Sequence, residues 1–161
     1  MFSHPITIWA IDDEQIVLDE VGFLVQTLGF DFKSFTDPTL AEAEIEKSNT
    51  LVLVILDHDF SMSANPEYKG YDFGKKAKYL HWTRCVLPII YLTGREDRKS
   101  FDLASVALGG SAPDDYLHKT QISELPERIH AWADRLHNFQ ETVDEHGREV
   151  ALTQYCERND F

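Results

Sequence analysis

The chain has 161 residues, 43% of them hydrophobic and 27% charged, which is about one domain in length and ordinary globular composition, so wholesale disorder is excluded. Asp and Glu number 28 against 15 Lys and Arg, a formal net charge of −13; such a surface repels phosphate backbones and anionic membranes and argues against direct nucleic-acid or membrane binding. Cys85 and Cys156 form no CxxC pair and suggest neither a disulfide framework nor a zinc site, and no run approaches the ~18 apolar residues of a membrane span, so a cytoplasmic location is expected.

Ile6 to Ile11 is a short apolar run that reads as a strand buried on both faces, and it stops at Asp12-Asp13. Val17, Leu18, Val21, Leu24, Val25 and Leu28 then recur at spacings of three and four, which predicts a helix over 15–28 closed by Gly29. Phe30, Phe32 and Phe35 mark a second strand. Asp37-Pro38 reads as an N-cap and first turn, with Leu40, Ala41 and Ile45 facing inward. Leu51 to Leu56 is six aliphatic residues without alternation, a strand buried on both faces that ends at Asp57. After a polar loop, Phe73, Ala77 and Leu80 predict a third helix. Val86 to Leu92, with Pro88 near its start, predicts a fourth strand ending at Thr93-Gly94. Phe101, Ala104 and Leu108 give a fourth helix, Tyr116 to His118 a fifth strand, and Leu125, Ile129, Trp132 and Leu136 a fifth helix. The expected domain spans residues 1–137. Residues 138–161, with six acids against two bases, form an acidic extension that is partly helical.

Alternating strands and helices with doubly buried strands imply a doubly wound parallel sheet of five strands, which binds ligands outside the carboxyl ends of its strands. Asp12 and Asp13, Asp57, Thr93 and Lys119 all stand at such ends. Carboxylates brought together repel, and a bound cation is one resolution; oxygen-only donors suit a hard ion such as Mg2+ or Mn2+. Lys119 and the Thr93 hydroxyl supply a charge and a donor for phosphoryl oxygens, and a central carboxylate can itself be the nucleophile. Asp57, after the central strand, is the candidate.

Four motifs carry a resemblance to a known family: Trp9-Ala10-Ile11-Asp12-Asp13-Glu14, Leu53-Val54-Ile55-Leu56-Asp57, Ile89-Ile90-Tyr91-Leu92-Thr93-Gly94 and Asp114-Asp115-Tyr116-Leu117-His118-Lys119. Over roughly residues 5–137 the chain resembles the receiver domains of two-component response regulators, of the stand-alone type, with a flavodoxin-like (βα)5 fold. The resemblance implies that Asp57 accepts a phosphoryl group from a phosphohistidine of a sensor histidine kinase or a histidine phosphotransfer protein. It also implies that Asp12, Asp13, Asp57 and the backbone carbonyl of Asp59 hold Mg2+, that Thr93 and Lys119 contact the phosphate, and that Tyr116 moves with Thr93 as a switch. The output would be read by a downstream protein target, and the chain would not be an enzyme acting on other substrates.

The chain departs from the family pattern in several places. Ser61 and Thr120 stand where the family usually has proline, so the bond after Lys119 is expected to be trans. The connections from Asp57 to Gly70 and from Gly109 to Pro113 are longer than usual. Asp59 and Arg95 flank the acceptor region and are expected to influence the phosphate's lifetime, whereas His58 and His118 are expected in loops or at the surface. Two alternatives share part of this pattern: a docking-only pseudo-receiver, and a haloacid-dehalogenase-type phosphatase using Asp57 and Asp59. Those phosphatases carry a metal-binding acid pair after the lysine, whereas Asp12-Asp13 precedes it here. The stripe Leu125, Ile129, Trp132, Leu136, Phe139 and Val143 also offers a short seam for a homodimer, although its first half must cover the sheet and Gly147 ends it.

Overall fold

Strands that are apolar on both faces need cover on both sides, and the chain supplies it. The computed structural model describes residues 5–64, 66–94 and 114–159; the expected helix at Phe101, Ala104 and Leu108, the connection Gly109 to Pro113, and Arg95 lie outside them. Strands β1 (Ile6–Ile11), β2 (Asp31–Phe35), β3 (Leu51–Leu56), β4 (Ile89–Thr93) and β5 (Asp115–His118) form one sheet in the order β2-β1-β3-β4-β5. Every neighbouring pair is parallel. Around the sheet lie α1 (Gln15–Thr27), α2 (Pro38–Ile45), α3 (Gly70–Leu80), α4 (Leu125–His146) and α5 (Arg148–Asn159). This is the doubly wound α/β architecture that the sequence predicts.

All six residues of β3 are buried, and alternation sends them to opposite faces. Leu51, Leu53 and Ile55 pack with Leu18, Val25, Ile129 and Leu152 of α1, α4 and α5. Val52, Val54 and Leu56 pack with Ala41, Ile45, Phe73 and Ala77 of α2 and α3. Burying these six side chains contributes on the order of 10 kcal/mol of transfer free energy. The residue that follows, Asp57, is therefore carried on a strand buried along its whole length.

Asp37 caps α2 as expected, its Oδ1 accepting from the Thr39 N–H at 2.9 Å, and Gly29 after α1 has φ +87°, a conformation that favours glycine. Leu40 corrects the sequence reading. It is 59% exposed while Ala41 and Ile45 are fully buried, because residues four apart share a helix face and Leu40 lies about 100° from Ala41. The fourth strand starts at Ile89 and not at Val86: residues Arg84–Val86 form a 3-10 turn. Pro88 has no N–H to give, and its carbonyl accepts from the Val54 N–H at 3.0 Å just before the strand begins. No peptide bond among the described residues is cis, so the Lys119–Thr120 bond is trans, as expected.

The C-terminal segment is packed. Helix α4 runs through residue 138 to His146, Gly147 turns the chain at φ +88°, and α5 folds back so that Ala151 and Leu152 join the core. The Tyr155 hydroxyl donates to the Arg135 carbonyl at 2.6 Å, and its ring meets Phe139 edge-on at 5.4 Å. Phe139 is fully buried, and Val143 packs against the same core. The chain thus covers the seam that the sequence offered to a second copy. Cys85 is disulfide-bonded, a correction to the expectation that no cross-link exists. Among the described residues no helix is long and apolar enough to cross a membrane.

His81, which follows α3, is 1% exposed. Burial pushes its pKa down from 6.5 to about 4, with the hydrogen bond to the Thr50 backbone working the other way. The folded imidazole stays neutral where the unfolded one takes up a proton, so its contribution to stability falls as pH drops from about 6.5 towards 4. Between pH 7.5 and 5 this amounts to about 2 kcal/mol. Urea unfolding at the two pH values is expected to show that loss reduced in His81→Gln; an identical pH dependence in the variant would refute the assignment.

Candidate functional site

The strand order reverses between β1 and β3, which places a crevice at their carboxyl ends. The backbone fixes both acids there. The Asp12 N–H donates to the Phe35 carbonyl at 3.1 Å, extending the β1 pairing with β2, and the Asp57 N–H donates to the Ile11 carbonyl at 2.9 Å. Asp12 and Asp57 are 3% and 5% exposed. Asp12 Oδ1 accepts from the Glu14 N–H at 2.9 Å, and Asp57 Oδ1 accepts from the His58 N–H at 2.8 Å. Asp13 is half-buried, and its Oδ2 accepts from the Met62 N–H at 2.8 Å.

One carboxylate oxygen from each of Asp12, Asp13 and Asp57 lies within 4.8 Å of the others. Lys119, directly after β5, reaches into this group: its Nζ is 3.0 Å from Asp12 Oδ2, 3.5 Å from Asp57 Oδ2 and 3.6 Å from Glu14 Oε1. Thr93, the last residue of β4 and 1% exposed, makes a side-chain hydrogen bond with Asp57. The five residues singled out at four strand ends therefore meet in one place.

Their charges are in tension. Burial, and after it the Asp57 charge, pushes Asp12 up to about 7, against the Glu14 N–H and Lys119. Burial also raises Asp57 above the ordinary carboxylate range, against Lys119, the His58 N–H and Thr93. For Lys119 burial works against the ammonium, but Asp57, Asp12 and Glu14 outweigh it and hold the pKa above its usual value. Three acids facing one lysine leave uncompensated negative charge in a partly dry crevice. An oxygen-only donor set in that condition fits a hard divalent cation such as Mg2+ or Mn2+.

The remaining predicted residues are less central. Asp59 lies in the loop after β3, where it bridges Lys69 in antiparallel fashion. Its carboxylate accepts from the Ser61 N–H at 3.0 Å and pairs with Lys69 at 3.6 Å. Tyr116, on β5, is half-buried and packs against the core on the α2 and α3 side. Arg95 lies outside the described residues. His58 is not at the surface: it is 4% exposed, between Tyr71 and Tyr91 at ring distances of 5.1 and 6.5 Å. His118 is half-buried and hydrogen-bonded through both ring nitrogens. Two contributors escaped the sequence reading. Glu14 stood beside the acid pair, where its sign gave some signal; the Met62 N–H gave none, because it comes from a loop 49 positions away.

No family model and no curated protein matches the chain. Solved structures do. A protein described as an adenylate cyclase from Rhodopirellula baltica is 19% identical, with 86% of this chain and 94% of that chain covered and a TM-score of 0.65. A two-component response regulator from Clostridium difficile is 21% identical over 81% of this chain and 97% of its own, with a TM-score of 0.65. A response regulator protein from Thermotoga maritima, in complex with Mg2+-BeF, is 24% identical over 78% of this chain and 97% of its own, with a TM-score of 0.63. These likenesses define the class of fold: a five-stranded parallel sheet of the response regulator receiver type.

Proposed function

We propose that the chain is a response regulator receiver that takes a phosphoryl group onto Asp57 and signals by protein–protein contact. The observation that carries this reading is the meeting of Asp12, Asp13, Lys119 and Thr93 around the Asp57 carboxylate. In the transfer, an Asp57 oxygen bonds to phosphorus while the phosphorus–nitrogen bond of the donor phosphohistidine breaks and its electron pair stays on the leaving imidazole. The Thr93 hydroxyl and the Lys119 ammonium then have phosphoryl oxygens as new acceptors beside the bonds they already make to Asp57. Asp12, Asp13, Asp57 and the Asp59 carbonyl would hold Mg2+, which supplies positive charge against the transferring oxygens.

The phosphoryl dianion pulls the ends of β4 and β5 towards it, and Tyr116 is the aromatic residue placed to report that movement. Residues 1–137 constitute the receiver, with 138–161 as its extension. The donor is a sensor histidine kinase or a histidine phosphotransfer protein, in the cytoplasm, and the reader is a downstream protein. The carboxylate of Asp59, engaged by Lys69 and the Ser61 N–H, disfavours the phosphatase alternative, which needs it as a free acid.

Incubation with Mg2+ and acetyl phosphate, followed by intact-mass measurement, tests the reading. One phosphoryl adduct on the wild type and none on Asp57→Asn is expected. Rapid turnover of many phosphate esters would point to a phosphatase instead, and a wild type without any adduct would leave a docking module.

A further inference from the structure

We propose that His118 is a positioning residue that ties together the two loops supplying Thr93 and Lys119; the inference rests on Asp57 being the phosphoryl acceptor. His118 closes β5 directly opposite Thr93 in the β4–β5 register. Its Nε2 lies 3.2 Å from the carbonyl oxygen of Gly94, the residue after Thr93. Its Nδ1 lies 3.2 Å from the Thr120 backbone nitrogen and 2.8 Å from the Thr120 hydroxyl, on the far side of Lys119. The His118 N–H in turn donates to Gln121 Oε1 at 3.1 Å.

These partners determine the ring's proton. A carbonyl oxygen can only accept, so Nε2 must carry the hydrogen; a backbone N–H can only donate, so Nδ1 must offer its lone pair. One tautomer, with its hydrogen on Nε2, satisfies both. The ring is thus a two-ended tie with a defined polarity, rather than a loop residue facing solvent. One end holds the backbone immediately after the hydroxyl that bonds Asp57. The other holds the turn that aims the Lys119 ammonium at Asp12 and Asp57.

The tie matters because the hydroxyl and the ammonium come from different strands, and both must meet the same phosphoryl oxygens when transfer occurs. Loss of alignment by an ångström or so is costly in such a step. Asp12 and Asp13 come from the other side of the crevice, directly after β1, and are held by hydrogen bonds with backbone groups. Removing the tie should therefore slow phosphoryl loading and leave cation binding alone.

His118→Asn separates the two ends. Asparagine is a good cap for the Thr120 N–H but is too short to reach Gly94. Its loading of Asp57 from acetyl phosphate, followed by intact mass at saturating Mg2+, is expected to be about tenfold slower than wild type. The Mg2+ concentration that half-maximally raises the thermal midpoint should be unchanged. His118→Ala, which loses both ends, should load no faster than the asparagine variant. Wild-type loading rates in both variants would overturn the proposal, as would a loss of rate explained entirely by weaker Mg2+ binding. A wild type that forms no adduct overturns the acceptor reading itself, and this inference with it.

Discussion

Gly70→Ala is expected to destabilise the protein by about 3 kcal/mol or more, the upper range for overpacking a tight site. Gly70 opens α3 and donates its N–H to the His58 carbonyl at 2.9 Å. A methyl group built there would stand 2.5 Å from the Asp57 backbone oxygen, 2.7 Å from Cε1 of Tyr91 and 3.0 Å from the His58 Cα. Two of those neighbours are backbone atoms of Asp57 and His58, and Tyr91 is fully buried, so none can step aside without moving β3 or the core. Gly22→Ala provides the contrast. There the methyl would be 2.7 Å from Cε1 of Phe32, the tip of a half-buried ring, which can swing for about 1 kcal/mol. Urea unfolding of both variants checks the ranking; a Gly70→Ala loss no larger than that of Gly22→Ala would sink it. Because the clash falls on the Asp57 carbonyl, the Gly70 variant should also lose phosphoryl loading in whatever fraction remains folded.

How much of this was legible in the sequence depends on whether a residue's burial partner is local or distant. β3 announced itself because six aliphatic residues without alternation have few other uses. The end of β1 at Asp12 was equally plain, and with Asp57, Thr93 and Lys119 it placed the acids, the hydroxyl and the lysine at the correct strand ends. Phe139 misled in a specific way: its four-three spacing with Leu136 and Val143 is real, but the surface that covers it is α5, reached only after the turn at Gly147. His58 and His118 read as ordinary loop histidines because nothing in their spacing shows that Tyr71 and Tyr91 flank one, or that Gly94 lies 24 positions back from the other. The Met62 N–H on Asp13 is of the same kind. Pairing across a parallel sheet always brings together residues far apart in the chain, so the residue types at the strand ends were readable, whereas the hydrogen bonds that hold them were not.

Asp12→Asn is expected to make the metal-free protein more stable and the Mg2+-loaded protein less stable than wild type, a reversal that few substitutions produce. Asp12 has a folded pKa of about 7 against an ordinary 3.8. Its protonation therefore favours the fold below about pH 4, and that contribution is lost as pH rises through 7. Above pH 7 the folded protein must hold the Asp12 carboxylate beside Asp57 in a crevice with little water, at a cost on the order of 4 kcal/mol. Asparagine keeps an oxygen to accept from the Glu14 N–H and sheds the charge, while Lys119 retains Asp57 and Glu14. A gain of about 1–3 kcal/mol at pH 8 in EDTA follows, less than the full cost because water and side-chain relaxation ease a buried charge, and Lys119, at 3.0 Å from Asp12 Oδ2, is already part of the balance that sets the pKa. Millimolar Mg2+ should then stabilise the wild type through binding to the folded state only, by an amount that grows with concentration, and should do little for the variant, which lacks one of three clustered carboxylates. The two stability curves are expected to cross as Mg2+ rises. A variant that is weaker than wild type in EDTA would mean that Asp12 is a structural anchor and not a strained ligand; a wild type indifferent to Mg2+ would remove the cation from the site.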